Sequence, residues 1–168
     1  MIRTIAQIAV VTCCTALFCR AQEQILVTPS AAPLYQIKTV QIDPTVVPNP
    51  EKVKDSSAPN LVQDSLRNAF RSANFEVAET APIRAHIVLD EFTSGSAAKR
   101  FMVGFGAGRS TIDCHLVLQD AEGKELANVP IRVRGNLVWS PYEGNNTQRR
   151  QAVNSFDQRL LEEIEKMK

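Results

Sequence analysis

The stretch Arg100–Trp139, RFMVGFGAGRSTIDCHLVLQDAEGKELANVPIRVRGNLVW, decides the fold of this 168-residue chain. Its middle alternates strictly. Ser110, Ile112, Cys114, Leu116 and Leu118 fall on one side and Thr111, Asp113, His115, Val117 and Gln119 on the other, the period of a strand with one buried face. Asp120-Ala121-Glu122-Gly123 then suits a hairpin turn, with Asp at its start and Gly free to take a positive φ. A second alternating strand follows through Ala127, Val129, Ile131, Val133, Gly135, Leu137 and Trp139. Placing Gln119 opposite Lys124 sets Leu116 against Ala127, Cys114 against Val129 and Ile112 against Ile131, so the apolar faces coincide. A slip of one residue would set Leu116 against Asn128. Pro130 lacks a ladder donor and predicts a bulge or an edge strand.

Upstream, Ile83, Ala85, Ile87 and Leu89 alternate with Arg84, His86, Val88 and Asp90, a further half-buried strand. Thr93 to Gly108 reads as a long connection, a length more often functional than neutral. Val62, Leu66, Ala69, Phe70 and Ala73 recur at helical spacing from Asn60, and Asn74 is placed to end that helix. Phe75 to Glu79 is a short strand. Leu34 to Ile42 is another, with a phase shift between Ile37 and Val40 that predicts a bulge or an edge position. Pro44, Pro48, Pro50 and Pro59 mark the intervening segment as loop. After Pro141 and Gly144, a last helix capped by Asn145 or Asn146 carries the apolar stripe Val153, Phe156, Leu160, Ile164 and Met167. The expected fold class is α+β, a two-layer sandwich of a mostly antiparallel sheet with both helices on one face, formed by residues 34–168 as a single domain.

The start of the chain has a different character. Arg3, the apolar run Ile5 to Phe18 and the ending Cys19-Arg20-Ala21 make residues 1–21 a secretory signal peptide cut before Gln22. That run falls short of the ~20 apolar residues of a membrane span. Cys13, Cys14 and Cys19 follow Thr12, Cys13 and Phe18, whereas a lipoprotein peptidase wants Gly, Ala or Ser there, so a soluble product is favoured over a lipid anchor. Residues 22–33 form a flexible lead-in with Pro29 and Pro33. Cleavage removes 21 of 168 residues and leaves 147, one domain's worth. Of 19 Lys and Arg, 17 remain against 18 Asp and Glu, a net charge of −1. Nucleic-acid binding, which needs a strongly basic surface, is excluded on that ground. Cys114 is left alone, so no disulfide closes within the mature chain.

Few residues invite chemistry. Gly104, Gly106 and Gly108 precede a strand and lack the Lys-Ser/Thr pair and helix of a phosphate loop. They read as a backbone requirement. Phe101, Met102, Val103 and Phe105 around them form an apolar tip suited to a partner. Cys114 reads as a buried small hydrophobe. His86, Asp113, His115, Arg132 and Arg134 share the polar side of the sheet, where cross-strand ion pairs account for the charges. A metal or small-molecule site around His86 and His115, with Asp90 or Asp113, which could be that of a hydrolase, is the alternative; no ligand spacing supports it, so no cofactor and no metal are expected.

The run from Arg100 through the glycines to Arg109, then strand, Asp120, Gly123 and strand, resembles domain of unknown function family 4410, exported envelope proteins of bacteria. The resemblance implies a secreted or periplasmic α/β domain with no established activity and no catalytic residues to carry over. The expected function is therefore a non-catalytic envelope interaction domain. It would contact a partner through Phe101, Met102, Val103, Gly104, Phe105, Gly106 and Gly108 or through the open sheet face. The partner expected is another envelope protein, a second copy or a membrane surface. N-terminal sequencing of the exported protein should begin at Gln22; an intact Met1 or a lipid-modified cysteine would refute the soluble product.

Overall fold

Alternation along three segments and helical spacing along two leave one apolar surface on each element, and these surfaces close on a single core. In the computed structural model, which describes residues 33–94, 110–135 and 145–168, the elements in order are β1 (Thr39–Ile42), α1 (Ala58–Ser72), β2 (Glu76–Ala78), β3 (Ile83–Ser94), β4 (Ser110–Asp120), β5 (Glu125–Arg134) and α2 (Asn145–Lys166). The five strands form one sheet in the order β2-β1-β3-β4-β5. Both helices pack on one face, giving the expected α+β sandwich. The long strands β3, β4 and β5 are antiparallel, while β1 runs parallel to both β2 and β3. The sheet is thus mixed, because α1 connects β1 to β2 as a crossover.

The core joins Ile83, Ala85, Ile87 and Leu89 of β3, Ile112, Cys114, Leu116 and Leu118 of β4, and Ile131 and Val133 of β5 to Val62, Leu66 and Phe70 of α1 and Phe156, Leu160 and Ile164 of α2. Burying each large side chain among these contributes roughly 1.5–3 kcal/mol relative to exposure. Helix α1 begins at Ala58, two residues before the expected start, with Pro59 in its first turn. It ends where Asn74 takes φ 64°. There Phe75 N–H donates to Phe70 O at 2.9 Å and Asn74 N–H to Arg71 O at 3.0 Å, a Schellman cap. Phe70 and Phe75 seal it edge to face at 5.5 Å.

Helix α2 is fixed by Arg149. Its guanidinium lies 3.0 Å from Asp55, donates to Ser57 Oγ at 2.8 Å and sits 5.9 Å above the Phe92 ring. Asp55 also accepts from Ser57 N–H and Oγ–H, and these bonds, aided by Arg149, hold its carboxyl below the usual range.

Several expectations need correction. The strand expected from Leu34 begins only at Thr39. The phase shift comes from a turn at 33–36 with Gln36 at φ 63°, which buries Leu34 and exposes Tyr35. β1 is internal, and the edges are β2 and β5. β3 extends through Ser94, past the expected loop start at Thr93. The hairpin register differs by two: Leu116 faces Val129, Cys114 faces Ile131 and Ile112 faces Val133. An extra residue, Leu126, enters β5 between the Leu118–Ala127 and Gln119–Glu125 pairs. A shift of two keeps every side chain on its own face, so the hydrophobic pattern alone does not distinguish the two registers. The leader, residues 22–32, the stretch Phe101–Gly108 with its glycines, and the strand continuation through Leu137 and Trp139 lie outside the described residues.

Cys114 sits fully buried between Leu89 and Ile131, and burial pushes its thiol strongly upward, with Asp113 and Asp90 adding to the effect. Native protein should therefore label with a thiol reagent far more slowly than unfolded protein. Cys114→Ala should lower unfolding stability by about 1 kcal/mol, below the ~2–5 kcal/mol of a Leu truncation. Equal labelling rates would contradict this burial.

Candidate functional site

The face of the sheet turned away from the helices is the one surface where the sequence placed its polar candidates. Register sets them in rows. His86 of β3 stands opposite Val117 of β4, and Val117 opposite Asn128 of β5; Val88, His115 and Pro130 form the next row; Glu91, Asp113 and Arg132 form the third. Between the last two rows Asp90 is an extra residue in β3, since Leu89 pairs with Cys114 and Glu91 with Asp113. Such a bulge re-aims a side chain. Here it brings Asp90 Oδ2 to 3.4 Å from His115 Nε2.

His115 is consequently held from both sides. Its Nδ1 lies 3.0 Å from Asn128 Oδ1, and Asn128 Nδ2 points to Glu125 Oε2 at 3.5 Å. An amide oxygen only accepts, so Nδ1 carries the hydrogen. Arg132 Nε donates to Asp113 Oδ2 at 2.8 Å, and Nη2 of the same side chain reaches the same oxygen. That contact raises the Arg132 pKa, through the hydrogen bond first and the charge second. At the other end Arg84 Nη2 lies 2.7 Å from Asp43 Oδ2, while Gln41 Nε2 donates to Asp43 Oδ1 at 2.9 Å. The middle of the face is apolar. Val117 is only 4% exposed although it lies outside the helix-side core, and Val46, 49% exposed, bridges to Val88.

Of the residues singled out from the sequence, His86, Asp113, His115, Arg132 and Arg134 all belong to this face, and Asp113 does pair with Arg132 across strands. His86 and His115 are on neighbouring strands in adjacent rows. Yet both ring nitrogens of His115 are occupied by Asp90 and Asn128, and among the described residues no group of three His, Cys, Asp or Glu side chains is placed to hold a metal ion. Sequence reasoning did not single out Asp43, Glu91, Val117 and Asn128. The bulge at Asp90 and the two-residue shift decide their neighbours, and neither is visible in hydrophobic periodicity. Among the described residues no helix is long and apolar enough to cross a membrane.

Comparison with known proteins bears on family and fold. The profile of the family described as Domain of unknown function (DUF4410) matches residues 34–136. No curated protein matches the sequence. A variant of the PelC dodecamer from Paraburkholderia phytofirmans shares the fold at a TM-score of 0.52 and 10% identity, over 78% of this chain and 86% of that one. Protein XCC0632 from Xanthomonas campestris, of family DUF330, aligns at a TM-score of 0.48 and 11% identity over 80% of this chain and 85% of that one.

His86 is half-buried beside Val117, and desolvation depresses its pKa more than Asp43 raises it. The unfolded chain therefore binds the proton more readily than the folded one, and stability from this group is lost as pH falls below ~6.5. Two measurements check this: an NMR titration of His86 should show a midpoint below ~6.5, and His86→Gln should flatten the stability profile between pH ~7 and ~5. A midpoint above the ordinary histidine value would refute it.

Proposed function

Because the chain belongs to the DUF4410 family of domains of unknown function, we propose that it is a non-catalytic interaction domain of the cell envelope that binds a partner protein through its open sheet face. One observation carries the reading. Val46, Val88 and Pro130 lie in one row across the middle of that face around His115, and Val117 lies in the next row, with Arg84 and Asp43 on one flank and Asp90, Glu91, Asp113, Arg132 and Arg134 on the other. An apolar centre with a charged rim is the anatomy of a protein contact. The charges mostly neutralise one another, which suits association better than catalysis, and the buried Cys114 thiol is no nucleophile.

Export rests on the leader, Arg3 with the apolar run and Cys19-Arg20-Ala21. Phe101, Met102, Val103 and Phe105, ahead of β4, are a second proposed contact. The PelC protein with the same fold is a dodecamer, which favours an assembling role over a solitary one.

A photo-crosslinking residue at Val88, introduced into the exported protein in cells, tests the reading. Adducts should form there and be absent when the same group replaces the exposed Gln158 on the outer side of α2. Equal adducts at both positions, or none at Val88, would refute it.

A further inference from the structure

We propose that the partner is a second copy of this chain, docked face to face about a two-fold axis that runs along β4. The proposal rests on the open face being the contact surface, and it adds who occupies it and in what orientation.

The two edges of the sheet are closed to a second copy. Gly135 N–H donates to Ser110 O across to β4 at 2.8 Å. Ladder groups alternate, so Asn128, Pro130, Arg132 and Arg134 aim theirs outward along the free edge of β5. Pro130 has no N–H to give, and a proline with flanking arginines guards an edge against strand addition. The opposite edge, β2, is three residues long. Among the described residues, with the helices covering one face, the open face is the sheet surface left for a copy to meet.

The charges left over on that face specify the orientation. Within one chain Arg132 is paired with Asp113, but among the described residues Glu91 of β3 and Arg134 of β5 make no ion pair. They sit two strands apart, about 10 Å, too far to meet. A rotation about β4 exchanges β3 and β5. Glu91 then lies over Arg132 of the second copy with Arg134 one pair further along, His86 lies over its Asn128, and Val88 over its Pro130. Val117 and His115 both fall on the axis; Val117 packs on itself, and each His115 arrives held by its own Asp90 and Asn128. Asp113 also meets its own copy, but each arrives held by its Arg132.

The strands that overlap set the size. The axis lays β3 over β5 and β4 over β4 and leaves β1 outside the contact, so strands of 12, 11 and 10 residues span about 35 Å by 14 Å at ordinary strand spacings. That is roughly 500 Å² per copy and roughly 1,000 Å² in all, the lower limit of a specific interface.

Sedimentation velocity on the mature protein is the test, with two charge variants. The wild type should sediment as two copies or an even multiple. Glu91→Lys makes both rims positive, and Arg132→Gln with Arg134→Glu makes both negative; each should sediment as half the wild-type assembly or less while melting like the wild type. Mixed in equal amounts, the two variants should associate again, because each supplies the charge that the other lacks. Glu91→Lys leaves the Asp113–Arg132 pair intact, so its arm stands even if the double variant does not fold. A wild-type assembly indifferent to Glu91→Lys, or a wild type that stays monomeric through the micromolar range, overturns the proposal. In the monomeric case the Val88 crosslinker separates the two ideas. Adducts to a different protein leave the interaction face standing without the self-contact, and no adducts at all remove both.

Discussion

Strand β4 is the constraint on which the rest depends, because both of its sides are committed and it is paired between two long strands. Toward the helices Ile112, Cys114, Leu116 and Leu118 are all at most 1% exposed. Toward the open face Asp113, His115 and Val117 take neighbours from β3 and β5 at once. Side chains in a strand alternate with a period of two, so a slip of one residue would carry Asp113 and His115 into an apolar core. Desolvating a carboxylate there without a partner costs several kcal/mol. The same strand that anchors the core therefore dictates which polar groups face outward, and the fold and the candidate interface are two sides of one register.

The bulge at Asp90 shows how a local irregularity becomes a feature of the site. With regular pairing, a residue between Leu89 and Glu91 would alternate to the open face, Glu91 would turn into the core and Phe92 would turn out of it. The extra residue keeps Leu89 and Phe92 inward and leaves both Asp90 and Glu91 outside. One carboxylate is thereby spent on His115, and the next, Glu91, makes no ion pair among the described residues though its charge acts on Arg132. Arg149 does comparable work on the other side of the sheet, tying the start of α2 to Asp55 and Ser57 just ahead of α1. The long helix thus has a fixed starting point over β3.

Much of this was legible from residue types alone. Period-two runs at Ile83–Asp90 and Ser110–Gln119 and the stripe from Phe156 to Met167 are strong signals because each repeats over several turns or pleats. Asn74 was legible as a terminator because it tolerates a positive φ. What was not legible has physical causes. Tyr35 and Val40 differ in phase because a turn with Gln36 at φ 63° lies between them, and an isolated glutamine carries no turn signal. The hairpin slipped by two because a shift of two costs nothing in hydrophobic matching; Leu126, accommodated as a bulge, decided it. Parallel pairing of β1 depends on a crossover through α1, a long-range choice that no local pattern encodes. At the site, a cross-strand pair between Asp113 and an arginine was legible but the choice of arginine was not, since Asp113 faces Arg132 only in the observed register.

The distribution of paired and unpaired groups bears on the proposed contact. Asp43, Arg84, Asp113 and Arg132 are satisfied inside one chain, and such exposed pairs add little to stability. Their value is instead to remove the desolvation penalty that lone charges would impose on an approaching protein surface. Among the described residues Glu91 and Arg134 make no ion pair; they lie on different strands and differ in sign, with Val46, Val88, Val117 and Pro130 around His115 between the polar ends of the face. In the proposed contact these apolar residues would supply affinity and the two residual charges orientation. Because Pro130 closes the neighbouring edge at the same level, the sequence permits approach along the sheet normal and opposes growth within the sheet plane, which is how a two-layer domain can assemble without becoming a template for unlimited strand addition.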